Sequence, residues 1–287
     1  MPAFSAGTGV PVRIAGAHHP RGDFVSPYPT RMSDHWWWRP GVRPGRCLLV
    51  LHILLHDQPD ARDVVRQCQD KLAGLDMVPE EWLHMTTQIV GFADEISSTE
   101  VEQMIHETRL RFAALAPVAV QLGRLWFHSE AVMLGIHPPQ DLDPVREAIR
   151  DAVAESVRVH QLADEPEWTP HVSVAYSHGD GPAEPVLDAL AARPEPRALR
   201  VHEVHLVEQV RVGRLYPWDV RTALTVGRFP ARRRTLESLQ PPLWGVSRQT
   251  RDRGGRSLLW VYERDAEPRG PSSICAQAEG AHAKGSR

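Results

Sequence analysis

The chain has 287 residues, of which 42% are hydrophobic and 24% charged, a composition that excludes a collagen-like or wholly disordered protein. Its longest apolar run, residues 47–55, is interrupted by His52 and is far shorter than the roughly 18 residues of a membrane span. The first residues show no basic start followed by an apolar stretch. We therefore expect a cytoplasmic protein that does not cross the membrane.

The formal net charge is only −3, but the charged residues are distributed unevenly along the chain. Residues 46–229 hold 17 basic and 28 acidic side chains, whereas residues 1–45 and 230–287 are both net basic. Non-specific duplex binding rests on neutralisation of phosphates by Lys and Arg. The acidic body excludes that class of function, so we expect any nucleic acid to be bound in a local pocket.

Hydrophobic periodicity and turn signals predict an α+β domain over residues 32–229 between two tails, 1–31 and 230–287, that we expect to be largely disordered. In chain order, the predicted elements are a strand at 47–55, a helix at 60–74, a strand at 83–92, a helix at 98–115, two strands within 118–136, a helix at 143–159, a strand at 169–176, a helix at 182–192, and strands at 200–212 and 220–226. In the C-terminal tail, residues 257–262 form a further candidate strand.

A short motif occurs twice within this domain. The sequence Pro-Glu-Glu-Trp-Leu-His-Met-Thr-Thr at 79–87 resembles Pro-Glu-Trp-Thr-Pro-His-Val-Ser-Val at 166–174. Each copy has an acidic-Trp lead-in and a His-x-hydroxyl sequence, and His84 and His171 are 87 positions apart. This separation is too long for a solenoid repeat and predicts a duplicated lobe.

The two motifs carry residues suited to phosphodiester chemistry. Alternate residues of a strand share a face, so His84 lies beside Thr86, and His171 beside Ser173. One neutral imidazole can accept a proton while a second, protonated, donates one. The hydroxyls can donate hydrogen bonds to phosphate oxygens, and this chemistry needs no metal.

Two further residues are candidates for substrate contact. Gln88 shares the predicted face of His84 and Thr86. Tyr176 follows just after the second motif, but in an ideal strand its side chain would face the core, which makes it a weaker candidate.

With these two motifs the chain resembles the 2H phosphoesterases, a superfamily named for paired His-x-Thr/Ser motifs, and in particular its bacterial 2′-5′ RNA ligase-like members. The resemblance rests on His84-Met85-Thr86-Thr87 and His171-Val172-Ser173-Val174, on the order of elements, and on the closing pattern at 204–218. The segment 34–46, with its run of tryptophans, also resembles the opening of the 2′-5′ RNA ligase-like members. Ser173 stands where many members have Thr, and both residues supply a hydroxyl.

The resemblance implies a bilobal, pseudo-twofold fold with two antiparallel sheets that line a central cleft and helices outside. It implies cleavage of RNA 2′,3′-cyclic or 2′-5′ phosphodiesters without a cofactor, with His84 and His171 catalytic and Thr86 and Ser173 binding phosphate. We expect a monomer that acts on an RNA terminus and, in reverse, joins a 5′-hydroxyl to form a 2′-5′ linkage. The sequence leaves open which histidine is the base.

Three alternatives remain open at this stage. The substrate can be a small cyclic nucleotide or a 2′-5′ oligonucleotide, or the chain can be a non-catalytic RNA- or nucleotide-binding module.

The run Trp36-Trp37-Trp38 can stack on bases or pack in the core. His202 and His205 are spaced unlike a helical zinc motif, so we expect no metal there.

Overall fold

A computed structural model describes residues 28–162 and 168–227, together with the backbone of residues 248–251 and 257–260. The strands are β1 (Arg31–Met32), β2 (Leu48–Leu54), β3 (Asp76–Met77), β4 (His84–Phe92), β5 (Val118–His128), β6 (Ala131–His137), β7 (His171–Tyr176), β8 (Gly181–Pro182), β9 (Arg197–Val201), β10 (Glu203–Gln209), β11 (Trp218–Thr225), β12 (Arg248–Arg251) and β13 (Ser257–Trp260). The helices are α1 (Pro59–Gln69), α2 (Ser98–Phe112), α3 (Asp143–Ser156) and α4 (Glu184–Ala189).

The main sheet consists of two antiparallel halves. One half has the order β11-β10-β2-β4 and the other β7-β6-β5-β9, with β3 added beside β7. The halves are joined between β4 and β7, where Met85 pairs with Val172. The two sheets predicted from the sequence are these two halves, and the α+β class is confirmed.

The halves are interwoven and do not follow each other along the chain. The sequence predicts one strand at 200–212, but the structure contains β9 and β10, which separate at His202. β9 pairs with β5 at the edge of one half, whereas β10 pairs with β2 and β11 in the other. The predicted strand is wrong because the chain crosses between the halves here, and continuous hydrophobicity gives no sign of the crossing.

Helices cover one face of each half. α1, which connects β2 to β4, contacts β5, β7 and β9 of the other half. α2 and α3 pack against each other, with α3 on β4 and α2 on β11. α2 begins at a capping box, in which Ser97 and Glu100 exchange hydrogen bonds. Between helices and sheet lies the main core, whose fully buried side chains include Phe112, Met104 and Leu134.

The N-terminal boundary of the domain differs from the prediction. Arg31 and Met32 pair with Pro182 and Gly181, and the carbonyl of Thr30 accepts a hydrogen bond from the Ala183 amide. Residues 28–31, assigned to the tail, therefore belong to the folded domain, because backbone pairing in β1 holds them. Residues 1–27 lie outside the described part of the chain.

In the C-terminal segment, β12 and β13 form an antiparallel hairpin, which belongs to a separate unit spanning 229–270. The predicted strand at 257–262 is found in part as β13. The rest of the segment predicted to be disordered lies outside the described residues. Among the residues that are described, no helix is both long and apolar enough to cross a lipid bilayer.

Candidate active site

The two sequence motifs meet at a local twofold axis. Met85 and Val172, which are equivalent in the 87-residue repeat, pair directly across β4 and β7. An antiparallel pair of equivalent residues is the arrangement that a twofold axis perpendicular to a sheet produces. Both side chains are fully buried on the helix-covered face, so the neighbouring His84 and His171 lie on the opposite, half-buried face.

Each histidine is held in the same tautomer. The Nδ1 atom of His84 lies 2.8 Å from the carbonyl oxygen of Trp82, and that of His171 lies 2.8 Å from the carbonyl oxygen of Thr169. Because a carbonyl oxygen only accepts hydrogen bonds, both Nδ1 atoms carry the proton. In the neutral rings the Nε2 lone pairs therefore remain available for proton transfer.

Burial keeps both imidazoles neutral. The pKa of His84 is lowered to about 4, chiefly by desolvation and in addition by the nearby His171, against the opposing effect of the Trp82 carbonyl. Desolvation also lowers the pKa of His171, and His128 adds to that effect. The free site thus holds two neutral histidines at pH 7, each ready to accept one proton.

A third histidine packs directly on the first. The ring centroids of His52 and His84 are 4.0 Å apart, and Trp218 contacts both rings edge-on at 5.5 and 4.8 Å. His52 is fully buried, and neither of its ring nitrogens has a hydrogen-bond partner of normal geometry within the described part of the chain. Burial lowers the pKa of His52 well below its usual value.

A β-bulge in β4 overturns the predicted position of Gln88. Leu51 pairs with Gln88 and His52 with Thr86, so Thr87 is the extra residue. The bulge turns Gln88 to the buried side, where its amide oxygen accepts a hydrogen bond from Arg150 of α3 at 3.3 Å. The prediction that Gln88 shares the face of His84 is wrong, because strict alternation fails at a bulge.

The same irregularity occurs in β7 at the equivalent position, and it has the opposite consequence for Tyr176. Val132 pairs with Ala175 and Met133 with Ser173, which leaves Val174 as the extra residue. The bulge brings Tyr176 to the side of Ser173, with which its hydroxyl is hydrogen-bonded. Tyr176 thus reaches the cavity beside His84.

A cavity of about 170 Å³ opens beside His84. Its wall comes from three parts of the chain, namely the segment before β2, strand β4 with Tyr176, and the β10–β11 hairpin. The lining residues include His35, Arg39, Arg46, Thr86, Ile89, Tyr176, Arg211 and Tyr216. His171 and Ser173 are not part of this wall, so the cavity lies on the β4 side of the twofold axis.

Sequence reasoning missed the part of this wall that precedes β2. His35 stacks on Tyr176 at 4.1 Å, and its Nε2 lies 3.0 Å from the Tyr216 hydroxyl. Burial lowers the pKa of His35 to about 4 and raises that of Tyr216. These contacts join residues up to 181 positions apart, and the only local signal was the density of aromatic residues near Trp36.

The histidines at 202 and 205 have different surroundings. His205 lies within β10, whereas His202 stands at the crossing between the halves, 3.3 Å from Asp57. Within the described ranges no group of three or more His, Cys, Asp or Glu side chains is arranged to hold a metal ion.

Comparison with known protein families shows the superfamily of the chain. A family model described as the 2′-5′ RNA ligase superfamily matches residues 56–213. The chain belongs to this superfamily. Membership supports enzymatic phosphodiester chemistry in general, and the 2H phosphoesterase resemblance of the sequence is confirmed.

Several solved structures are similar to this superfamily member. Escherichia coli LigT complexed with 3′-AMP is 16% identical, with 63% of this chain and 98% of that chain covered and a TM-score of 0.49. The protein TT0787 of Thermus thermophilus is 17% identical, with 63% and 100% covered and a TM-score of 0.48. A structure described as a phosphoesterase is 16% identical, with 64% and 99% covered and a TM-score of 0.49. Curated protein sequences give no significant match.

Proposed function

We propose that this 2′-5′ RNA ligase superfamily member hydrolyses RNA 2′,3′-cyclic phosphate ends without a metal, by general acid/base catalysis through His84 and His171. The observation that carries the proposal is the pair of His-hydroxyl motifs flanking the Met85–Val172 pair. Both imidazoles are fixed by the same carbonyl contact. Two proton-transfer groups on one face of the sheet are what an in-line displacement at phosphorus requires.

The electrostatics favour different roles for the two histidines. Repulsion between the two imidazoles is reciprocal and lets the pair hold one proton at a time; because the pKa of His84 is lowered to about 4, we place that proton on His171. We therefore assign His84 as the general base and His171 as the general acid. The two groups titrate as a coupled pair, and the assignment refers to this singly protonated form.

In the proposed step, His84 Nε2 accepts a proton from water as the water oxygen bonds to phosphorus. The bond between phosphorus and one ribose oxygen breaks, and His171 Nε2–H protonates that oxygen, which leaves a phosphomonoester. Thr86 and Ser173 donate hydrogen bonds to the non-bridging oxygens as negative charge develops. Because water greatly exceeds any 5′-hydroxyl in concentration, we expect net hydrolysis over ligation.

The test is hydrolysis of an oligonucleotide with a 2′,3′-cyclic phosphate in excess EDTA. We expect activity to persist in EDTA and to fall by a factor of about 10²–10⁴ in His84→Ala and in His171→Ala. His137→Ala, which alters an exposed histidine at the end of β6, is the matched control. Loss of activity on chelation, or full activity in either active-site variant, would contradict the mechanism.

The cavity beside His84 favours a second candidate substrate. Its volume of about 170 Å³ and the acidic body of the protein suit a small cyclic nucleotide or a short 2′-5′ oligonucleotide. A higher kcat/KM for a mononucleotide cyclic phosphate than for an oligonucleotide would favour this alternative. Tight binding without turnover of any of these substrates would instead indicate a binding module.

A further inference from the structure

The three consecutive tryptophans before β2 have different environments. Trp36 is 7% exposed, donates its indole N–H to Asp76 at 2.7 Å and packs against Tyr216. Trp37 and Trp38 are 44% and 49% exposed. Core packing therefore accounts for Trp36 and leaves the two following indoles without a role in the core.

The two exposed indoles are held in fixed orientations. The Arg39 guanidinium lies 4.0 Å from the centre of the Trp37 ring, and the Arg211 guanidinium lies 4.2 Å from that of Trp38. Trp37 also donates its indole N–H to Glu130 at 3.0 Å. Each ring thus has one supported face, and about half of each residue is open to solvent.

Arg211 connects this surface to the candidate active site. It donates hydrogen bonds to the carbonyl oxygens of Trp36 and Trp37, and it lines the cavity beside His84 together with Arg39. Within the described residues its hydrogen-bond acceptors are carbonyl oxygens, which leave its positive charge unneutralised. A cationic group in an otherwise acidic body provides a local site for phosphate.

We propose that Trp37 and Trp38 form a stacking surface for the unpaired nucleotides that precede the reacting phosphate of a single-stranded RNA. The two aromatic rings lie against Arg39 and Arg211, which line the cavity, and single-stranded nucleic acid is bound by this combination of stacking and cations. Both tryptophans lie before residues 56–213, the part of the chain that the superfamily model matches. The proposal rests on the proposed function, and it selects an oligonucleotide over a mononucleotide.

The experiment compares a mononucleotide with a tetranucleotide, both ending in a 2′,3′-cyclic phosphate. We expect the wild type to show a kcat/KM about 10-fold higher for the tetranucleotide, and the double variant Trp37→Ala/Trp38→Ala to lose most of this ratio. Trp38→Phe, which keeps an aromatic face, retains most of it. Leu110→Ala, an exposed apolar residue on α2, is the matched control and keeps the wild-type ratio.

A binding measurement separates this proposal from the proposed function. The probe is a tetranucleotide with a 3′-phosphate, which does not react, and its Kd is measured by fluorescence anisotropy. If the wild type turns over no cyclic phosphate and the double variant binds the probe more weakly than the wild type does, the proposed function fails and the stacking surface stands. An unchanged length ratio and an unchanged Kd in the double variant would overturn the stacking surface. So would a loss of self-association in the double variant without a change in RNA binding, which would assign the surface to a second copy of the chain.

Discussion

Mild acid is expected to destabilise the folded protein because it contains buried neutral histidines. Desolvation lowers the pKa of His35 and of His84 to about 4, whereas an unfolded histidine titrates near 6.5. Between these values the unfolded chain binds protons that the folded chain excludes. The stability contributed by each group is present above pH 6.5 and is lost as the pH falls towards 4.

The magnitude follows from the two shifts. Lowering a pKa from 6.5 to about 4 corresponds to about 3 kcal/mol, at 1.36 kcal/mol per pKa unit. Each group is half protonated in the unfolded state at pH 6.5 and in the folded state at pH 4, so His35 and His84 together account for about 5 kcal/mol between these two pH values. This loss is a large part of the 5–15 kcal/mol by which domains are typically stable, and the buried His52 acts in the same direction.

Urea denaturation followed by tryptophan fluorescence at pH 7.5, 6.5, 5.5 and 4.5 measures this effect. The free energy of unfolding should be nearly constant from pH 7.5 to 7 and should then fall by about 2–3 kcal/mol per pH unit near pH 5. His84→Gln should remove about half of that slope, and the exposed control His137→Gln none of it. A free energy of unfolding that is independent of pH from 6.5 to 4.5, or a slope unaffected by His84→Gln, would refute the reasoning.

Four further changes test other parts of the structure. The kcat/KM for a cyclic phosphate should fall about 10-fold per pH unit above the lowered pKa of His171, because the protonated fraction of this acid decreases, and a flat profile from pH 6.5 to 8.5 would contradict its role as the acid. Ser97→Ala removes the cap of α2 and should cost about 1 kcal/mol in the free energy of unfolding, measured by urea denaturation. Gly41→Ala should cost more than that, because the added Cβ would lie 2.7 Å from the Phe92 ring at a φ of +78°, and an unchanged Tm would show that the ring moves freely. His52→Leu removes two buried nitrogens that lack a hydrogen bond of normal geometry within the described ranges and should raise the free energy of unfolding by about 1 kcal/mol, and a simultaneous loss of activity would show that the stacked imidazole positions its neighbour.

The sequence predicted that each His shares a strand face with its hydroxyl residue, because the signal for this arrangement is local. His84 and Thr86, like His171 and Ser173, lie within single strands before the bulge, where alternation holds. The prediction for Gln88, which lies after the bulge, was wrong. The bulge at Thr87 turned the next side chain, Gln88, into the core, and no feature of the sequence distinguishes a bulged strand from a regular one.

Long-range features of the site were beyond sequence reasoning for a related reason. Arg211 and Trp36 are 175 positions apart, and their contact depends on the β10–β11 hairpin lying beside the segment before β2. Likewise, the apolar run at 200–212 gave no sign that β9 and β10 belong to opposite halves. Periodicity reports which residues are buried, but it does not report which partner buries them.

The sequence alone determined which functional groups the candidate site contains, since the residue types, their spacing and their repetition specify two imidazoles with two hydroxyls. Only the tertiary structure decided how these groups are arranged. It paired Met85 with Val172, packed α1, which follows β2, against the other half of the sheet, and placed Tyr176 in the wall of the cavity. The physical reason is that side-chain identity is fixed locally, whereas strand pairing, bulges and packing result from competition among contacts over the whole chain.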